Sequence, residues 1–123
     1  MKHLILFEEA NKLTELNEFN KAVSCYEEAT SIKSDYVEAY YNLGNLHHRM
    51  GNLDKAVRNF KKIVALNPEY SKSHPDKILL VIYYFSKGQI DSALETIKIL
   101  VKTNADDALL LSLIHISEPT RPY

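Results

Sequence analysis

Three stretches of the chain share one order of apolar and polar positions: NEFNKAVSCYEEA from Asn17, GNLDKAVRNFKKI from Gly51 and GQIDSALETIKIL from Gly88. Each opens on a turn residue. An apolar residue stands two on, then Asn or Asp, then Ala two later; an aromatic or Ile follows four after the Ala, and a small or aliphatic residue three after that. The alanines are Ala22, Ala56 and Ala93, spaced 34 and 37 residues apart. Apolar steps of three and four place these residues on one face of a helix. Asn20, Asp54 and Asp91 are residue types that satisfy free amide groups where a helix starts. Gly51 and Gly88 suit the left-handed turn after a preceding helix. Pro68 follows the end of a helix predicted over 53–66. Upstream of each stretch lies another helical pattern, over about 3–16, 37–50 and 75–87. The chain therefore reads as all-α, its unit two antiparallel helices, repeated in tandem.

The middle unit, AYYNLGNLHHRMGNLDKAVRNFKKIVALNPEY, resembles the tetratricopeptide repeat family. Tyr40, Leu43, Gly44, His47, Ala56, Phe60, Ile63 and Pro68 fall where that signature has an aromatic, Leu, Gly, an aromatic, Ala, an aromatic, a small residue and Pro. His47 and Ile63 are the looser matches. Small residues at Gly44 and Ala56 let the two helices cross closely, and larger ones fill the gaps around them. The first unit fits through Ala10, Ala22, Tyr26 and Ala29, with Glu9 in place of a core Leu and Ser34 in place of Pro. The third fits through Leu80, Tyr84, Gly88, Ala93 and Leu100, after a three-residue insertion in EYSKSHPDK. The resemblance implies a short right-handed α-solenoid of three repeats, 3–36, 37–70 and 74–107, with 108–110 opening a fourth.

The end of the chain breaks the pattern. Leu111 to Arg121, LSLIHISEPTR, resembles the in-frame translation of a transposon-end sequencing adaptor, and Pro122 and Tyr123 would follow from index bases. Residues 111–123 are therefore expected to be non-native, and neither His115 nor Ser117 is read as functional. The gene product is expected to continue past Leu110. Without a complete fourth repeat, Ile97 and Leu100 are expected to lie uncovered and to favour self-association.

Charge narrows the choice of partner. The net charge of −1 gives no long-range field toward nucleic acid or an anionic membrane. It is unevenly spread: residues 1–36 hold four Lys and seven Asp or Glu, residues 37–73 six Lys or Arg and three Asp or Glu. The apolar run at the start ends at Phe7 and meets two glutamates, too short for a signal peptide. The run ILLVIYYF is less than half a membrane span. Cys25 is the only cysteine, so no internal disulfide or Cys-rich zinc site can form. A cytoplasmic location is expected.

Catalytic chemistry requires titratable groups converging on a point, and the sequence offers little of it. His47 and His48 are adjacent on a helix and point about 100° apart, which prevents joint chelation. Cys25 has no His nearby in sequence, and the three glycines build no phosphate-cradling loop. No metal, cofactor or enzymatic activity is expected. KAVRNFKK, Lys55 to Lys62, reads as a solvated outer helix face with docking of an acidic partner as the alternative.

Within the family resembled, the first helix of each repeat lines a concave groove. The resemblance places Leu4, Phe7, Glu8 and Asn11 there from repeat one, Glu38, Tyr41, Asn42, Asn45 and Arg49 from repeat two, and Ile78, Leu79 and Ile82 from repeat three. Asn both donates and accepts, so an Asn row can grip the backbone of an extended peptide. One subfamily, the chaperone-tail binders, clamps a peptide's terminal carboxylate with two Lys, two Asn and an Arg. Asn11 and Asn42 match its asparagines, but Phe7, Pro75 and Leu79 stand where its cations should be, and that function is rejected. The expected function is a non-enzymatic adaptor or scaffold that binds a protein, as peptide or partner helix, through Phe7, Asn11, Tyr41, Asn42, Asn45, Arg49, Ile78 and Ile82. The alternative is the repeat segment of a larger enzyme or regulator, such as a transferase, sensor kinase or transcription factor.

Overall fold

The computed structural model describes residues 1–103, and seven helices lie among them. They are α1 (Lys2–Glu15), α2 (Phe19–Ile32), α3 (Val37–Arg49), α4 (Leu53–Leu66), α5 (Pro68–Ser73), α6 (Lys77–Ser86) and α7 (Ile90–Thr103). α1 packs on α2, α3 on α4 and α6 on α7; α2 then packs on α3, and α4 on α6. The result is an α-helical repeat solenoid. The expected opening of a fourth unit at 108–110 and the tail at 111–123 lie outside the described residues.

The three turns between paired helices are one motif. Asn17, Gly51 and Gly88 all adopt left-handed backbone, with φ of 62°, 80° and 73°. In each, the left-handed residue's amide returns to a carbonyl three residues back: Asn17 to Thr14 at 3.1 Å, Gly51 to His48 at 3.1 Å, Gly88 to Phe85 at 3.1 Å. The next amide reaches five back: Glu18 to Leu13 at 2.9 Å, Asn52 to His47 at 2.8 Å, Gln89 to Tyr84 at 2.9 Å. This pair of bonds closes a helix C-terminus and requires the left-handed residue that Gly, and less readily Asn, can supply.

The second helices α2 and α4 start two residues earlier than caps at Asn20 and Asp54 would set them. The residues capping α2 and α4 are Glu18 and Asn52, neither with a side-chain cap bond, so Asn20 and Asp54 are second residues of their helices and not caps. Asp91 likewise lies in the first turn of α7. Asp54 and Asp91 there face the positive end of the helix dipole.

The insertion folds as α5. Asn67 caps it, its Oδ1 accepting from the Tyr70 amide at 3.0 Å, and Pro68 takes the first helical position, where no amide is needed. α6 then begins at Lys77, not Pro75, because Asp76 caps it: its Oδ1 accepts from the Ile78 amide at 3.0 Å.

Two cores result. The first holds Ala10, Ala22, Tyr26, Ala29, Tyr36, Ala39, Leu43 and Leu46. The second runs from Tyr40 and α4 through Leu79, Val81 and Ile82 to Ala93 and Ile97. At the α3–α4 crossing, a Cβ on Gly44 would stand 2.6 Å from Phe60 Cε1, so only glycine fits beside that ring. His47 takes the aromatic position and is buried. Ile97 was expected to be uncovered, but it is 3% exposed because its face of α7 turns into the second core, with Leu100 packed beside it. The exposed apolar residues of α7 are instead Ile90, Leu94 and Ile99.

Candidate functional site: a polar cleft between α1 and α3

Asn11 lies two turns after His3 in α1, and Asn42, Asn45 and Arg49 follow one another at helical spacing on α3. Packing of the first two helix pairs brings them together with Thr14, Glu15, Tyr26 and Leu46 around a cleft of about 300 Å³. Asn11 is its hub. Its Oδ1 accepts from the Tyr26 hydroxyl and, at 3.0 Å, from the Asn42 Nδ2. Two repeats are thus joined through one amide oxygen. Burial raises the Tyr26 pKa above its ordinary value, against the opposite pull of Thr14 and Asn42, so the hydroxyl keeps its proton and remains a donor. Arg49 is exposed at the rim, its guanidinium 4.9 Å from the centre of the Phe19 ring.

Tyr41 belongs to a second, adjoining cluster that the insertion completes. Its hydroxyl donates to Asp76 Oδ2 at 2.9 Å, and its ring lies 4.6 Å from His74 and 6.1 Å from Phe60. The Asp76 amide in turn donates to His74 Nδ1 at 3.0 Å, and the Tyr70 ring lies 5.0 Å from His74, tilted by 34°. Burial raises the Tyr41 pKa; the nearby Asn45 amide lowers it and Asp76 adds to the rise.

Of the eight residues expected to form the site, Asn11, Asn42, Asn45 and Arg49 line the one cleft. Tyr41 is half-buried and held by Asp76. Phe7 is half-buried and wedged 6.0 Å from Tyr26 and 5.1 Å from Tyr36, so it supports the first core more than it faces a ligand. Ile78 is partly buried against the second core. Ile82 is a correction: it is 3% exposed, inside the second core, and lines a different cleft between α4 and α6. Leu79, also expected in the groove, is wholly buried. Tyr26, Asp76 and His74 were not foreseen as site residues. The Asp76–Lys77 step before an apolar run is a helix-start signal that could have located one of them.

Cys25 is half-buried, and its thiol is pushed above its ordinary pKa by burial, then by Glu9 and Glu28, which makes a poor nucleophile. Among the described residues no three His, Cys, Asp or Glu side chains converge as metal ligands, and no helix is long and apolar enough to cross a membrane.

A family model for the TPR repeat matches residues 10–51, and one for the tetratricopeptide repeat matches residues 37–70. The chain is 29% identical over 85 residues to response regulator aspartate phosphatase E of Bacillus subtilis, covering 63% of this chain and 22% of the relative. It is 33% identical over 73 residues to a TPR repeat-containing protein of Methanocaldococcus jannaschii, covering 59% of this chain and 23% of the relative. It is 33% identical over 51 residues to protein bimA of Emericella nidulans, covering 42% and 6%. The chain thus spans under a quarter of the length of each of these relatives. With the paired helices, the shared turns and the alanine-and-glycine crossings in place, the chain belongs, through residues 10–70, to the tetratricopeptide repeat family.

Proposed function

We propose that the chain is a protein-interaction module that binds an extended peptide or a partner helix in the cleft between α1 and α3, without catalysis of its own. The observation that carries this reading is the Asn11 hub. With its Oδ1 engaged by Tyr26 and Asn42, Asn11 still offers its NH₂ group, and Asn42 its carbonyl. Together these are one donor and one acceptor at a cleft wall, the set that matches a peptide unit. Their rotamers are already fixed by the inter-repeat bonds, so little entropy remains to be lost on binding. Asn45 and the Arg49 guanidinium extend the polar wall. The Tyr41–Asp76 pair closes the adjoining end, and Ile78 supplies apolar contact. The test is a panel of peptides selected against the chain by display. Asn42→Ala should weaken the selected peptides by about 1–2 kcal/mol, whereas peptides that bind the variant with unchanged affinity would remove the cleft from the mechanism.

A second reading, in which these repeats serve a larger enzyme or regulator, is supported by the likeness to response regulator aspartate phosphatase E, of which the chain spans 22%. Sequencing of the uninterrupted gene and assay of its full product separates the two. A cytoplasmic location accords with both readings and is open to fractionation of cells carrying the tagged gene.

A further inference from the structure

The structure has another concavity, unlike the first in chemistry. It lies between α4 and the C-terminal turns of α6, encloses about 560 Å³, and among the described residues shares no lining with the Asn11 cleft. Its floor is the second core itself: Val57, Val64 and Ile82 are buried there at 3–5% exposure. Tyr83 and Phe85 of α6, Pro68 of α5 and Ile90 of α7 also line it. Among the described residues its charged lining is Lys61 and Lys87, both exposed, and none of that lining is a carboxylate. The Lys87 ammonium stands 5.9 Å from the centre of the Tyr83 ring. The helix beside the cleft is basic as well, with Lys55, Arg58, Lys61 and Lys62 against Asp54 alone.

We propose that this cleft is a second docking site, and that its occupant is an amphipathic helix of a partner protein, apolar on one face and flanked by Asp or Glu. Charge complementarity sets the sign: an apolar trough rimmed by two lysines beside a basic helix attracts acidic flanks and repels basic ones. Shape sets the secondary structure. The α4 wall runs from Val57 through Lys61 and Val64 to Ala65, about two helical turns or ~12 Å. Side chains spaced at i, i+4 and i+7 on a second helix match that length and period. A volume of this size falls within the range that encloses bulky apolar groups. A second copy docked through its α7 fits less well. The exposed apolar pair of α7, Leu94 and Ile99, is flanked by Lys98 and Lys102 as well as by Glu95, so it would bring cations to the lysine rim.

The probe is a labelled helical peptide of about four turns with Leu at i, i+4 and i+7 and Glu on both flanks, read by fluorescence anisotropy against the full chain. Its mirror carries Lys in place of Glu. The Glu peptide should bind about tenfold or more tightly than the Lys peptide. The double variant Lys61→Glu/Lys87→Glu should reverse that order. Ala65→Phe, which fills the trough from an exposed position, should abolish binding of both, while circular dichroism shows each variant still folded. Asn42→Ala should leave the Glu peptide unaffected, so failure here is separable from failure of the Asn11 cleft. Equal binding of the two peptides, or a preference unmoved by the lysine reversals, overturns the proposal. So does a dimer, seen by sedimentation at the same concentrations, that Ala65→Phe dissolves, because the occupant would then be a second copy.

Discussion

The two cores use one turn and one helix-pair geometry but different contents. In the first, four of the eight buried residues are alanines and two are tyrosines. In the second, Phe60, Ile63, Val57, Val64, Leu79, Val81, Ile82 and Ile97 do most of the filling, with Ala56 and Ala93 only at crossings. Alanines bring backbones close, so polar side chains from neighbouring repeats can touch; that is how Asn11 reaches Asn42 and Tyr26. Large branched residues hold helices apart and leave apolar walls between them. The first core therefore carries a small polar cleft and the second a larger greasy one. Repeats that look alike in sequence can present opposite surfaces, because the surface is set by what the core leaves room for.

The comparison implies that the second core stands on its largest wholly buried side chain. Phe60 is wholly buried against Gly44, so Phe60→Ala removes a ring no neighbour can replace and should cost about 3–5 kcal/mol in urea unfolding. Gly44→Ala should cost about 1–3 kcal/mol through overpacking on that ring. In a Phe60→Leu background the penalty of Gly44→Ala should shrink, and strict additivity of the two would show that the ring contact is not its cause.

Overpacking should also rank the cores. Ala22 and Ala56 are equivalent by position and both are wholly buried. Ala22 lies among other alanines, with short side chains that have little rotamer freedom with which to yield. Ala22→Leu should therefore cost more than Ala56→Leu, each within about 1–3 kcal/mol or somewhat above, while exposed Lys55→Ala is near neutral. The reverse ranking in thermal melts would break the account of close and open cores. Smaller still is the hydroxyl of Tyr26. Tyr26→Phe removes one of two bonds to Asn11 Oδ1 and should cost about 0.5–1.5 kcal/mol. It should also free Asn42 to shift, which a loosened inter-repeat contact in amide exchange would register.

What the sequence displayed was the local half of this structure. The bounds of α4 match the expected 53–66, and Gly51 and Gly88 are left-handed as expected, because periodicity and turn chemistry act within a few residues. Asn17, opening the first repeated stretch, adopts the same turn. The short α5 escaped because six residues cannot display a helical period, although Asn67 and Pro68 were a readable start signal. Ile82 was set on the wrong side because ILLVIYYF has no polar residue to fix the helix phase. The Asn11–Asn42 bond spans 31 residues and Tyr41–Asp76 spans 35, and no local pattern announces such pairs.

The least costly way to sharpen the comparison is pH, at the residue where the cores meet. His47 on α3 is 3% exposed, and its Nδ1 has no hydrogen-bond partner. Glu27 on α2 acts on it from the first core's side and Lys55 on α4 from the second's. Burial lowers its pKa, Lys55 lowers it further, and Glu27 opposes both more weakly. A folded pKa below the unfolded one means that the unfolded chain takes up a proton first. Stability from this residue is therefore full above the unfolded value, about 6.5, and declines as pH falls through it toward the lower folded pKa. The reading is a difference between two proteins. The urea midpoint of the wild type should drop more between pH 7.5 and 5.5 than that of His47→Phe, whose ring fills the same aromatic position without a proton to gain. Equal drops in the two proteins would mean that His47 is hydrated in solution and that the joint between the cores is open to water.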